Sequence, residues 1–227
     1  MSKGTLFRPI AHIATDFKEK FGIPRQSGRV EAIGRIIFLP EYRNPDALRG
    51  IEGFSHLWLL FDFSLAHREG FVPTVRPPRL GGNRHVGVFA SRSPFRPNPI
   101  GLSSVRLLAC EYTEDGPVLT VSGVDLLDGT PIYDIKPYLP FSDAHPDAAA
   151  GYAAEGEGHR LTVMYAEGVA PPTDKETATL LEACLSEDPR PSYQDDAARI
   201  YHMRLGDYEA AFTVAGDILT VVGIVKK

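Results

Sequence analysis

Six short apolar runs, each bounded by Gly, Pro, Asn or Asp, constrain the first two thirds of the chain more than any other feature. They are 29–39 (RVEAIGRIIFL), 54–63 (FSHLWLLFDF), 86–90, 104–113, 117–124 and 131–135. All are rich in β-branched and aromatic residues, and their spacing predicts strands. No alternation of strand and 10–15 residue helix precedes residue 150, which argues against a parallel α/β sheet and for a closed or sandwich-like β architecture. The 21 Gly and 19 Pro among 227 residues supply the turns that such a fold needs. At about 150 residues per domain, the length allows one large domain, or one with a small appendage.

The composition shifts at 143–159 (DAHPDAAAGYAAEGEGH), an Ala, Gly and acidic stretch that reads as a linker or exposed insertion. It divides the chain into a predicted β domain, 1–145, and a small α+β domain, 146–227. In the second, a strand is expected at 160–166. A helix follows the Pro171-Pro172 stop, with Thr173 and Glu176 as a capping box. Leu180, Leu181, Cys184 and Leu185 form its apolar stripe, and it ends before Pro189. Runs at 201–205, 209–214 and 218–225 predict an antiparallel meander, with Gly216-Asp217 as a tight turn.

Cys110 and Cys184 lie far apart and outside any CxxC pair, which excludes a zinc ribbon or thioredoxin-type site and predicts reduced thiols. The beginning of the chain lacks the apolar stretch of a signal peptide, and nowhere are 18 consecutive residues apolar, so a cytoplasmic protein is expected. The net charge of −5 hides a strong polarity. Residues 68–106 hold seven arginines and a single acid, Glu69, for a local charge of +6 against −11 elsewhere. Arginine in place of lysine favours bidentate recognition of phosphate or carboxylate. Six prolines in the same stretch (73, 77, 78, 94, 97 and 99) stiffen the loops that carry those guanidiniums. Such rigid basic loops are what an anion site requires, whereas a solvated basic surface has no use for the stiffness. The prolines at 94 and 97 also resemble a PxxP ligand, but the segment lies wedged between apolar runs.

A second cluster spans 123–138 (GVDLLDGTPIYDIKPY). Asp128-Gly129 is a hairpin-turn signal, and turns at strand ends expose backbone groups able to bind a nucleoside. Asp125, Asp128, Asp134, Lys136 and Tyr138 offer candidate bases and countercharges. His56, His67 and His85 do not fall at metal-ligand spacings, so no metal site is expected, and His56 is read as lying in or beside the core. GxGxxG, P-loop, GxSxG and HExxH patterns are absent from the sequence, so any nucleotide cofactor is held by a non-Rossmann architecture.

Five strings in order, IPRQ (23–26), LRGIEGFSHLW (48–58), VRPPRLGGN (75–83), VFASRSPFRPNPIGL (88–102) and DLLDGTPIYDIKPY (125–138), resemble the TsaA-like (TrmO) family. DPRPSY (188–193) is similar to the signature of its bacterial C-terminal extension. The resemblance implies a small β-barrel that binds S-adenosyl-L-methionine, usually as a homodimer, and methylates N6 of threonylcarbamoyladenosine at position 37 of tRNA. It further implies cofactor contacts at Pro24, Arg25, Gln26, Ser64, Leu65, Arg92, Leu102, Leu126, Leu127, Asp128, Gly129 and Thr130. Ser64 stands where the family commonly has His, Ser91 replaces a frequent Thr, and Ser27 replaces a frequent Pro.

Methyl transfer from a sulfonium is an in-line displacement that needs positioning and, at most, a base for the N6 proton. Asp134 and Tyr138 are the candidate catalytic residues. Arg76, Arg79, Arg84, Arg96 and Lys136 are the candidate RNA contacts, with Phe89, Phe95 and Tyr133 available for stacking. Two alternatives remain open at this point: a methyltransferase on another substrate, and a cofactor- or RNA-binding module without turnover.

Overall fold

A computed structural model describes residues 6–77, 84–156, 158–191 and 193–227. In chain order its first strands are β1 (Ala11–Thr15), β2 (Ile33–Phe38), β3 (His56–Asp62), β4 (Thr74–Val75), β5 (Val86–Gly87), β6 (Ile100–Thr113), β7 (Gly116–Ser122) and β8 (Pro131–Pro137). Six of them close into a barrel in the order β1-β2-β7-β6-β3-β8, with every neighbouring pair antiparallel. Closure removes the open sheet edges that would otherwise pair with other chains.

Period-two alternation fills the barrel. Ala11, Ile13, Ile36, Leu57, Leu59, Phe61, Val105, Leu119, Val121 and Ile132 are buried. Two strand positions require glycine because a neighbour already occupies the space. A Cβ on Gly34 would lie 2.7 Å from Ile13 Cδ1, and one on Gly101 would lie 2.7 Å from Phe61 Cε1 and closer still to Cε2 and Cζ.

Register shifts once in β8. Phe61 faces Ile132 but Leu60 faces Asp134, which leaves Tyr133 as the extra residue of a β-bulge. Ile132 and Asp134 would share a face in a regular strand. The bulge sends Ile132 into the core and Asp134 outward, and Ile135 takes the place opposite buried Leu59.

The structure corrects several expectations. A strand at 11–15 was not foreseen, because AHIAT is short and dominated by small residues. β6 begins at Ile100, four residues before the predicted run, and 86–90 holds a two-residue strand followed by a 3-10 turn at Val88–Ala90. Asp128-Gly129 is no hairpin: β7 and β8 are not neighbours, and the segment between them crosses the end of β1. His56 is exposed, with Ser55 Oγ 2.9 Å from its Nδ1, because β3 turns that position outward.

The chain packs as two compact units. The first comprises the residues up to Thr15, Gln26–Phe71 and Pro94–Leu139; the second comprises Asp16–Arg25, Val72–Ser93 and Pro140–Lys227. In the second, β4 pairs with β5, and a short helix α1 (Pro140–Asp143) leads to β9 (Thr162–Tyr165), α2 (Lys175–Ser186), β10 (Tyr201–Leu205), β11 (Tyr208–Ala215) and β12 (Ile218–Lys226). The sheet order is β10-β11-β12-β9, an antiparallel meander joined by a β9 that runs parallel to β12. Gly216 and Asp217 form the two-residue turn between β11 and β12. Helix α2 is capped by Asp174, whose Oδ2 accepts from Thr177 Oγ1 at 2.5 Å and from Thr177 N at 2.8 Å, and not by Thr173 as expected; these hydrogen bonds, the hydroxyl's first, hold the Asp174 carboxyl below its ordinary range. Leu181, Cys184 and Leu185 of its stripe are buried, with Phe212, Met203 and Leu219 in the same core.

Candidate active site

Topology gathers the first unit's candidate loops, though not Tyr138, at one end of the barrel. β1 ends where β2 begins, with Thr15 opposite Gly34, and β7 ends there too, with Ile33 opposite Ser122. β3 ends opposite the start of β6, with Asp62 facing Ile100, and β8 starts beside them. The connections bearing Gln26, Ser64 and Leu65, and 126–130 therefore all leave from this end.

The 123–130 crossover is latched to the barrel by its aspartates and carbonyls. Thr15 N donates to Asp128 Oδ1 at 2.9 Å and Thr15 Oγ1 donates to the Leu126 carbonyl at 3.1 Å, while Gly129 N donates to the Ile13 carbonyl at 2.8 Å. Ser103 Oγ, buried on β6, donates to Asp125 Oδ1 at 2.7 Å. Thr130 Oγ1 donates to the Leu127 carbonyl at 2.6 Å. Asp125 and Asp128 are thus structural latches, and the Leu126 side chain is 1% exposed. Beside the crossover, Gly28 N donates to the Gly123 carbonyl at 2.9 Å. Gly28 (φ +74°) and Gly129 (φ +76°) both have open space where a Cβ would stand.

The outer face of β8, β3 and β6 adds a row that crosses three strands. Leu60 faces Asp134 on one side and Leu102 on the other, so Asp134 and Leu102 stand two strand spacings, roughly 10 Å, apart. The next row is Lys136, Trp58 and Ser104, and Tyr138 follows beside His56, where Tyr138 N donates to the His56 carbonyl at 3.0 Å. Asp134 accepts from Ile135 N at 2.9 Å and pairs with Lys136 Nζ at 2.8 Å. That hydrogen bond and charge raise the Lys136 ammonium above its ordinary pKa. Tyr138 packs on Trp58 with ring centroids 5.5 Å apart, at the end of β8 away from the crossover. Eight residues of strand, roughly 26 Å, separate it from Thr130, so within one chain the structure brings Asp134 but not Tyr138 toward the crossover.

The end of β3 carries a group that the sequence reading did not assemble. Asp62 Oδ1 lies 2.7 Å from His67 Nε2, and Tyr133 hydrogen-bonds the same carboxyl. Burial, then the Asp62 charge and hydrogen bond, raise the Tyr133 phenol. The bulge at Tyr133 makes this contact, and no periodicity in the sequence announces it. Leu65 and Leu102 are 60% and 54% exposed, large apolar side chains open to solvent.

The arginines are less free than their density suggests. Arg84 NH1 meets both carboxylate oxygens of Glu155, at 2.7 and 2.9 Å, and Arg76 Nε donates to His85 Nε2 at 3.0 Å. Arg68 lies 5.0 Å from the Phe95 ring centroid and donates to its carbonyl at 3.2 Å, so Phe95 is partly covered, while Phe89 is 72% exposed. Tyr133 packs against Phe7. Arg92 is exposed and Arg96 half-buried. Arg79 lies outside the described residues. Pro24 and Arg25 belong to the second unit, where Arg25 NH2 donates to the Arg190 carbonyl at 2.6 Å. Among the described residues no group of three His, Cys, Asp or Glu is placed to hold a metal, and no helix is long and apolar enough to cross a membrane.

Comparison with known proteins follows the same lines. The tRNA-methyltransferase O N-terminal domain model matches residues 12–144, and the TrmO C-terminal domain model matches 162–227. The tRNA (adenine(37)-N6)-methyltransferase of Escherichia coli is 42% identical over 221 residues, 92% of each chain. A Pyrococcus abyssi protein named as a probable S-adenosyl-L-methionine-binding protein is 40% identical over 68% of this chain and 79% of its own. The crystal structure of TrmO from Pseudomonas aeruginosa superposes with a TM-score of 0.78 at 35% identity, covering 98% of this chain and all of that one.

Proposed function

The chain belongs to the tRNA-methyltransferase O family, and from that premise we propose that its acceptor is N6 of threonylcarbamoyladenosine at position 37 of tRNA. As a member of the family it is an S-adenosyl-L-methionine-dependent tRNA (adenine-N6)-methyltransferase. The observation that most supports the site is the row formed by Asp134, Leu60 and Leu102, which joins a carboxylate to a cofactor candidate across adjacent strands.

When bound, the cofactor supplies an electrophilic methyl carbon on a sulfonium. Leu65 and Leu102 offer it apolar surface and exclude water from the reacting atoms. The 126–130 crossover, held rigid by Thr15 and Ser103, presents backbone groups to its polar parts; Gln26, Ser64 and Arg92 complete the proposed contacts, with Pro24 and Arg25. Asp134 accepts the N6 proton as the nitrogen takes the methyl group, with Lys136 Nζ 2.8 Å from its Oδ2. Arg76, Arg79, Arg84, Arg96 and Lys136 contact anticodon-loop phosphates, and Phe89, 72% exposed, stacks on an unpaired base. We also propose that the protein is cytoplasmic and acts as a homodimer, which light scattering on the purified protein tests.

Mass spectrometry of tRNA nucleosides, after incubation with S-adenosyl-L-methionine, tests the substrate. Methyl gain on threonylcarbamoylated but not on unmodified tRNA is expected; equal gain on both refutes the assignment. Under single turnover Asp134→Asn slows transfer by about 10²-fold or more and Tyr138→Phe leaves it near wild type. A wild-type rate for Asp134→Asn removes Asp134 as the base.

A further inference from the structure

The end of β3 holds a cluster of titratable side chains that the methyl transfer as assigned does not use. Asp62 closes the strand, and the chain then turns back on it. Phe63 N donates to the Pro99 carbonyl at 2.8 Å, and Ala66 N donates to the Phe63 carbonyl at 2.7 Å. Ala66 is buried, and the turn it closes returns His67 to the strand just left, with Nε2 2.7 Å from Asp62 Oδ1. Tyr133, the bulge residue of β8, hydrogen-bonds the same carboxyl and packs on Phe7 with ring centroids 5.8 Å apart. The carboxyl is therefore held from two sides, and all of these residues belong to the first unit.

The Asp62 side chain is 15% exposed and that of His67 is 56% exposed. A carboxylate drawn this far out of water needs donors or a countercharge, which the imidazole and the phenol supply. Because a carboxylate only accepts, the ring turns its Nε2–H to Asp62, and a ligand meets Nδ1. With Nδ1 also protonated, the ring is an imidazolium that donates to Asp62 through one N–H and to an incoming acceptor through the other.

Position decides which acceptor that is. Asp62 lies on the outer face of β3, two residues beyond Leu60, which faces Asp134. Diagonal neighbours on one face of an antiparallel pair stand about 7–8 Å apart, so the Asp62–His67 pair lies one row from the carboxylate assigned to N6. In threonylcarbamoyladenosine the carbamoyl group is a planar amide that spans about 3.8 Å from N6 to the threonyl α carbon, and the carboxylate is bonded to that carbon. The threonyl carboxylate thus reaches about one row from N6. Asp134 repels such a group and Lys136 is already paired with Asp134 at 2.8 Å, so a further cation is required, and His67 stands there.

We propose that His67 is a specificity-determining residue of the acceptor site: its imidazolium, held by Asp62, binds the threonyl carboxylate of the substrate. Asp62 is a positioning residue that acts through His67. The contact rests on the acceptor assigned above, threonylcarbamoyladenosine.

Kinetics of the full chain on three tRNAs test it. At position 37 these carry threonylcarbamoyladenosine, the same group built with threoninol, in which a hydroxymethyl replaces the carboxylate, or plain adenosine. Wild type favours the first over the second by about 10–100-fold in kcat/KM, the worth of one hydrogen bond between charged groups. His67→Ala brings the two within about threefold, through a higher KM for the threonyl substrate, while the Kd for S-adenosyl-L-methionine stays at the wild-type value. Asp62→Asn lowers the preference in the same direction. A preference that survives His67→Ala, or a loss equal on both substrates, overturns the carboxylate contact. A weakened S-adenosyl-L-methionine Kd in His67→Ala also overturns it and assigns the residue to the cofactor. A wild-type preference in Asp62→Asn overturns the positioning role. Equal methylation of plain adenosine by wild type refutes the acceptor assignment itself, whatever the variants do.

Discussion

Substituting Gly101 by alanine tests the packing on which the row at Leu102 depends. An added Cβ lies 2.7 Å from Phe61 Cε1, and nearer to two other ring carbons, where carbon atoms prefer about 3.5 Å or more. Phe61 is 3% exposed and packs edge-on against Phe63 with centroids 5.1 Å apart, so its ring cannot retreat by the required distance of about 1 Å without moving neighbours. Overpacking of this kind costs about 1–3 kcal/mol. For a chain of this size, 2 kcal/mol lowers Tm by roughly 4–8 °C. Phe61→Leu removes the atoms in conflict, so in that background Gly101→Ala costs much less than it does alone. The assay is thermal melting of the four variants followed by circular dichroism. A Gly101→Ala protein that melts with wild type, or a cost undiminished in Phe61→Leu, refutes the reasoning.

Burial pushes the Asp188 carboxyl up, but the hydrogen bonds and charge of Arg190, with His159, outweigh it and hold the group below the usual carboxylate range. A depressed native value stabilises above the unfolded value and is lost as pH falls through the native one. The Tm gap between wild type and Asp188→Asn is therefore constant above about pH 5 and closes in acid; a gap independent of pH down to 3 refutes this. Burial, with the Glu187 charge, pushes the Cys184 thiol up to about 12, so iodoacetamide at pH 8 leaves it unlabelled until the protein unfolds, as peptide mapping reads. If about four phosphates are neutralised, log K for tRNA against log salt has a slope near −3; a slope near zero rejects the arginine loops as the RNA contact. Glu155→Gln frees Arg84 and is expected to tighten tRNA binding at low salt.

Much of the barrel can be read from local pattern, because alternation of buried and exposed residues is a property of each strand by itself. The run at 54–63 shows it, and β3 lies within it, whereas β7, buried at five of its seven positions, is legible as a short apolar run. β1 escapes because Ala11, His12 and Ala14 carry little hydrophobic signal; its place is set by pairing with β2 and β8. The turn string at 125–130 stands out as chemistry in the sequence, yet two of its aspartates are latches, bound to Thr15 and Ser103 more than 20 residues away.

The sequence by itself determined the class of fold and the family, since residue type, spacing and charge are local facts. Only the tertiary structure decided which end of the barrel the 126–130 crossover and the Ser64-Leu65 connection share, and that Arg84 and Phe95 already have partners. It alone turned Asp134 outward, because a bulge is a relation of register between two strands. It alone made the Pro24-Arg25 segment part of the C-terminal unit, because the contacts that hold it join residues more than 160 positions apart.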